Sequence, residues 1–378
     1  MEGNYSMSES SSYSGGRKCE CGYYPISNLI TIVINLKNQG KTVFKKSTIE
    51  FGSGRYGKIR KWTYFQFMRP MEIYASHAVY HAFWPDRNIC VAIKEVNKGH
   101  DRLTDERAKN EVEIHKYMNE NIAEDERNYI IKMFGYCKGS KCCWNSNIYL
   151  SIVMELGGMN LKDYFEENDV IISTFELMHE EETSLSEKRE EFLTNIFKCA
   201  AKALQQFHEF GIHLDIKAEN FVISKEQNSH EPLELCKLID FNSSIIIPKG
   251  EDRIIENLQG NMALAPEIFE GQSVNNGSKV NRKVDIWSFG VMMITMMKFR
   301  FQNIPANLPL VTYHIVNNLL PEYMSNKSYN TKIDRVLKGC LQLNTNLRPS
   351  ITAIVNFLED KCHKFKYETR RFRNVCDD

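Results

Sequence analysis

Long apolar runs are missing from this sequence. No stretch approaches the ~18 apolar residues of a membrane-crossing helix. Leu29 to Leu36 is too short, and Ile286 to Met297 carries Ser288 and Gly290 and reads as a buried helix. An excess of charge of one sign is missing too. Lys+Arg and Asp+Glu both number 48, so no global field favours nucleic acid or an anionic membrane surface. The N-terminus offers Ser, Gly and Tyr but no apolar segment of a secretion signal. The eleven cysteines therefore read as reduced thiols in the cytosol or nucleus. Paired metal-binding motifs are also lacking. Neither Cys19-x-Cys21 nor the Cys137, Cys142, Cys143 group has the second ligand pair that structural zinc takes. The expectation is an intracellular protein with no metal staple and no nucleic-acid or membrane partner.

What is present is ordinary globular material: 378 residues, 42% hydrophobic and 25% charged, long enough for two lobes. Residues 1–22 hold little to bury and read as a disordered tail. Residues 23–47 form an extension whose β-branched run, Ile30 to Ile34, suggests an added strand on the domain edge. Residues 48–155 and 156–360 make the two lobes, and 361–378 a basic tail with Lys364, Lys366, Arg370 and Arg371. Aromatic-rich residues 65–88 and the acidic stretch 166–191 read as insertions, the second one solvated.

The chemistry concentrates in His213-Leu214-Asp215-Ile216-Lys217-Ala218-Glu219-Asn220, a polar loop between an amphipathic helix (Phe192 to Phe210) and an apolar strand (Phe221 to Ile223). An aspartate accepts a proton, a lysine neutralises a phosphate and an asparagine offers an oxygen to a divalent metal. Phosphoryl transfer needs that set, because its catalysis is mostly positioning and charge neutralisation. Upstream, Gly52-Ser53-Gly54-Arg55-Tyr56-Gly57-Lys58-Ile59 lies between two strand-like runs, Thr48–Phe51 and Lys58–Tyr64. That context favours a hairpin folded over phosphates rather than a Rossmann turn. Val91-Ala92-Ile93-Lys94 is a strand with one lysine. The helix from Asp105 to Asn119 offers two carboxylates, Glu111 and Glu113, to that lysine; helical spacing prefers Glu111. Met154-Glu155-Leu156-Gly157 makes a connector, and Asp240 ends the strand from Leu235.

In this order the parts resemble the eukaryotic protein kinase domain, from about Thr48 to Phe357. The glycines, Val-Ala-Ile-Lys, His-x-Asp-x-Lys-x-x-Asn, Asp-Phe-Asn at 240–242, Ala265-Pro266-Glu267 and Asp285-x-Trp-Ser-x-Gly all fall in family sequence. The resemblance implies an α+β bilobal fold: a small antiparallel β-sheet N-lobe with one main helix, and a larger, mostly helical C-lobe. It implies ATP and Mg2+ as cofactors and protein substrates met as a monomer or in transient complexes. Gly52, Ser53, Gly54, Gly57, Ile59, Ala92, Lys94, Glu155 and Gly157 would line the nucleotide site. Asp215, Lys217, Lys94 and Glu111 would be catalytic, and Asn220 and Asp240 would hold metal. Glu267 would clamp Arg348, and Asn261 would bond Asp215. Lys217 resembles the Ser/Thr class. Some runs look like the monopolar-spindle dual-specificity kinases, which would add Tyr.

Three departures stand out. Leu214 replaces the arginine that anchors a phosphorylated activation loop, and residues 245–264 contain no hydroxyl acceptor. Such a non-RD kinase would not be switched on that loop. Asn242 replaces a glycine whose φ is positive, which Asn tolerates. His115 takes a place usually apolar, where a buried imidazole needs a partner. A pseudokinase scaffold with weak nucleotide binding is the rival reading, and a small-molecule or lipid kinase the third.

Overall fold

The computed structural model describes residues 19–21, 29–37, 39–51, 77–97, 102–139, 147–178, 187–225, 227, 231–255, 265–268, 278–297, 315–369 and 375–376. The N-lobe sheet is antiparallel throughout, in the order β1-β2-β3-β4-β6-β5. Its strands are β1 (Ile30–Leu36), β2 (Gly40–Phe51), β3 (His77–Trp84), β4 (Ile89–Asn97), β5 (Met133–Lys138) and β6 (Ile148–Glu155). The first and last strands meet. Lys37 N donates to Tyr136 O at 3.0 Å, Gln39 Nε2 donates to Phe134 O at 2.7 Å, and Leu36 packs on Gly135. The sheet thus curls into a nearly closed barrel, which shelters both edges. Alternation along β1 turns Ile32, Ile34 and Leu36 inward, where they join Phe44, Trp84, Val91, Ile93 and Val153.

Two expectations change here. The expected strand at 30–34 is present as β1, at one end of the strand order, but β2 runs through the expected boundary at residue 48. The partner of β2 is β3, with Phe51 opposite Val79, so 77–84 is a core strand rather than part of an insertion. The expected partner run, Lys58–Tyr64, lies outside the described residues.

The barrel interior also encloses a charge pair. Lys46 Nζ sits 2.7 Å from Glu95 Oε2 with both side chains buried, and 3.5 Å from the centre of the Tyr80 ring. Burial lowers the Lys46 pKa against the pull of Glu95. Lys46→Met removes the cation that faces a buried carboxylate, and we expect a loss of about 3 kcal/mol, the low end for a broken buried pair. Lys46→Met/Glu95→Leu should restore most of it. Urea unfolding checks both; a double variant no better than the single would contradict this account.

Helix α1 (Arg102–Asn121) packs on the sheet. Next come α2 (Leu161–Met178) and α3 (Glu187–His208). The two ends of the acidic stretch 166–191 are therefore helical, and most of their described residues are exposed or half-buried. Flanking it, Phe165 on α2 stacks on Phe192 of α3, and Tyr164 lies tilted against the same ring. Helix α4 (Lys283–Met296) is apolar nearly all round and buried accordingly. It approaches α6 (Lys332–Cys340) so closely that a Cβ on Gly290 would lie 2.8 Å from Cys340 Cβ. Beyond α5 (Leu320–Ser325) and α7 (Ile351–Leu358) the chain folds back. Phe365 is fully buried against Phe357, and Arg335 holds Glu368. Cys362 and Cys376 form a disulfide. The start of the basic tail is therefore packed structure, and those two cysteines are not the reduced thiols expected.

Candidate functional site

Short strands carry the polar loop. β7 (Gly211–Ile212) leads into it and pairs with β10 (Ile245–Ile246). β8 (Phe221–Ile223) leaves it and pairs with β9 (Cys236–Leu238). This pairing sets the loop at 213–220 beside the loop at 239–244. Asp240 has a φ of 64° and Phe241–Ser243 a single 3-10 turn. The positive φ falls on Asp240, not on Asn242 as expected for a substituted glycine, so the replacement costs no backbone strain.

Lys94 on β4 reaches both lobes. Its Nζ lies 2.7 Å from Glu111 Oε2 on α1 and 2.8 Å from Asp240 Oδ1. Burial opposes the ammonium charge, but Asp240 and Glu111 outweigh it and hold Lys94 above the usual lysine range. Glu113 instead points outward to Lys116. On the facing loop, Lys217 Nζ donates to Asp215 Oδ2 at 2.9 Å. Asn220 Nδ2 donates to Asp215 O at 2.8 Å, which leaves the Asn220 amide oxygen as an acceptor. Ala92 pairs in register with Met154 and His81. Glu155 holds Lys237 and Lys132 N. A Cβ on Gly157 would lie 2.6 Å from Val222 Cγ2, so only glycine lets the connector lie this close to β8. Gly52, Ser53, Gly54, Gly57, Ile59 and Asn261 lie outside the described residues. Arg348 makes two contacts with Glu267, at 2.8 and 3.2 Å.

Several positioning residues escaped the sequence. Asp285, fully buried at the start of α4, accepts from His213 N, Leu214 N and His208 Nε2 at 2.7, 2.8 and 2.9 Å. It holds Leu214 at a φ of 64°, a conformation costing about 1–2 kcal/mol for a residue with a Cβ. Ser244 Oγ donates to His213 O. Asn110, next to Glu111, donates to Asn242 O and Ser244 O and so ties α1 to the Asp240 loop. The one available signal was Asp285 itself, a lone carboxylate leading an apolar helix, which must find donors when buried.

The partner His115 needed is Arg127, whose Nη2 lies 3.4 Å from His115 Nδ1. The ring also meets Phe241 edge-on at 5.1 Å, and Phe241 meets His213 at 5.4 Å, an unbroken stack between the lobes. Burial, then the charges of Arg127 and Lys94, push the His115 pKa down to about 3. The unfolded chain therefore takes the proton first, and this stability is lost as pH falls below about 6.5. The slope reaches about 1.4 kcal/mol per pH unit. Between pH 7 and 5, wild type should lose about 2 kcal/mol more than His115→Phe in urea unfolding. Equal losses would mean that the imidazole is not held neutral.

The site can seat a polyanion against Lys94 and a hydroxyl against Asp215, with carboxylate and amide oxygens between them. Residues 75–358 match the protein kinase domain profile. The chain is 31% identical over 197 residues to "Probable serine/threonine-protein kinase fnkE" of Dictyostelium discoideum, 52% of this chain and 13% of that protein. It is 26% identical over 169 residues to the membrane-associated tyrosine- and threonine-specific cdc2-inhibitory kinase of Drosophila melanogaster, 44% of this chain and 28% of that one. It is 31% identical over 159 residues to human Tribbles homolog 1, 42% of this chain and 38% of that one. The chain thus spans well under half the length of each of these relatives. No described helix is long and apolar enough to cross a membrane.

Proposed function

We propose that this chain, which belongs to the protein kinase family, transfers the γ-phosphoryl group of ATP to serine and threonine hydroxyls of protein substrates, with Mg2+ as the accompanying ion. One observation carries the reading: Lys94 is held between Glu111 and Asp240 at 2.7 and 2.8 Å, across from a loop that presents Asp215, Lys217 and Asn220. A lysine fixed by two carboxylates is pre-aimed at phosphate oxygens and loses little freedom on binding. Asp240 and Asn220 offer the hard oxygen donors that Mg2+ prefers, and such an ion, when bound with nucleotide, neutralises phosphate charge. Asp215 orients the incoming hydroxyl and accepts its proton, while Lys217 steadies the charge on the transferred group.

Leu214 is 8% exposed and carries no charge for a phosphorylated loop. Control by phosphorylation within 245–264 is not part of this proposal. The test is a peptide array with labelled ATP, run with wild type and Asp215→Asn. Label on Ser/Thr peptides from wild type alone supports the reading. No label from either protein, with ATP still bound, would make the chain a scaffold. Label on lipids or metabolites but not on peptides would place it in another transferase class.

A further inference from the structure

We propose that Cys19, Cys21, His81 and Cys90 bind one Zn2+ ion, and that this clasp fastens the N-terminal segment across the hinge side of the cleft. The four ligating atoms all lie within 4.8 Å of one another. Cys19 Sγ is 3.3 Å from Cys21 Sγ and 3.7 Å from His81 Nε2. Cys21 Sγ is 3.4 Å from the same nitrogen, and Cys21 N donates to Cys90 Sγ at 3.4 Å. A tetrahedral zinc with Zn–S of ~2.3 Å and Zn–N of ~2.0 Å sets its ligands roughly 3.5–3.8 Å apart, close to these separations. Cys19, His81 and Cys90 are 3%, 0% and 3% exposed, so the cluster is not a chance surface grouping. Three thiols and one imidazole form a closed structural zinc set with no open position for catalysis. The Cys19–Cys21 sulfur separation is well beyond a disulfide bond of ~2.05 Å.

The second ligand pair, which the sequence lacks near Cys19, comes from strand pairing. His81 on β3 lies opposite Ala92, and Cys90 on β4 lies opposite Phe83, so His81 and Cys90 are diagonal neighbours on one face. By the two-residue period of a strand, Cys90, Ala92 and Lys94 share that face. The residue between the two N-terminal cysteines bridges the lobes. Glu20 accepts from Cys90 N at 3.2 Å and pairs with Lys225, just past β8, at 2.6 Å. Cys19 and Leu29 pack with Phe83, Cys90 and the connector residue Leu156. A metal here would fix a strap running from the sheet, past the connector, to the C-lobe.

The test uses the purified full chain and does not depend on kinase activity. Elemental analysis should find one zinc per chain, bound with a Kd of about 10⁻⁷ M or tighter. Cobalt substitution should give the sulfur-to-metal charge-transfer and visible bands of a tetrahedral thiolate site. Cys19→Ser/Cys21→Ser should lose both the zinc and the bands, and Cys199→Ser, a buried thiol elsewhere, should keep them. Chelation should speed hydrogen exchange in peptides covering 19–21 and 89–91 but not in those covering α4. If the double variant does not fold, the wild-type cobalt spectrum and zinc competition still decide. Absence of metal binding by the reduced wild type, retention of zinc by a folded double variant, or a native Cys19–Cys21 disulfide would overturn the site. Zinc binding with unchanged exchange would overturn the strap.

Discussion

Asp215→Asn is expected to lower kcat for phosphoryl transfer by about 10²–10⁴-fold and to leave ATP affinity within a few-fold of wild type. The amide is nearly isosteric with the carboxylate, and its oxygen can still accept from Lys217, which sits 2.9 Å away. The backbone carbonyl of residue 215 keeps its bond from Asn220 Nδ2. What the amide cannot do is take a proton from a hydroxyl. Lys94 and Asp240, which would meet the nucleotide's phosphates and its metal, pair with each other at 2.8 Å and keep their charges in the variant. A loss confined to kcat therefore separates proton acceptance from nucleotide binding. Steady-state kinetics on a peptide identified by the array, with nucleotide affinity measured by calorimetry, provides the check. A variant retaining kcat within tenfold of wild type would remove Asp215 from its assigned role.

The legible part of the site is the part carried by residue type and spacing. Lys94 sits within an apolar strand, and Asp215, Lys217, Asn220 and Asp240 lie in short loops or turns between apolar strands, so that a polar residue interrupts an apolar run. Such interruptions are visible without coordinates. Glu111 was narrower: Glu113 lies two positions on, and only the helix phase separates them, with Glu111 1% exposed and Glu113 turned to Lys116. What stayed hidden depends on pairing across distance. The closing contact between β1 and β5 joins residues about 100 positions apart in the chain, through Lys37 N and Tyr136 O. The role of 77–84 was obscured because the connection from β2 is long, so a strand was mistaken for inserted sequence. His81 and Cys90 gave no sign as possible ligands, since a metal motif is read from local spacing and theirs is set by the β3–β4 register. The Cys362–Cys376 bond was likewise beyond composition, which speaks to compartment and not to which thiols meet.

Asp285→Ala should damage both stability and turnover, and in that it differs from Asp215→Asn. The carboxylate is fully buried and accepts from two main-chain amides and one imidazole. Truncation leaves the amides of His213 and Leu214 without their acceptor in a site closed to water. At about 1–3 kcal/mol for each of these two stranded donors, the loss should reach roughly 2–6 kcal/mol, against a typical total of about 5–15 kcal/mol. Asp285→Asn should fall between, since one amide oxygen can serve part of the set while its NH2 group faces another donor. Main-chain geometry adds a second consequence. Leu214 holds its φ of 64° against an intrinsic preference for negative values, and Asp285 is the group that pins it. Released, Leu214 can relax by rotating the peptide that leads directly into Asp215. The folded fraction of Asp285→Asn should therefore also lose kcat, by about tenfold or more for a displacement near 1 Å. Urea midpoints and kcat measured on the same preparations decide the matter. A destabilised variant with full turnover per folded molecule would show that Asp285 supports the C-lobe without aiming the loop.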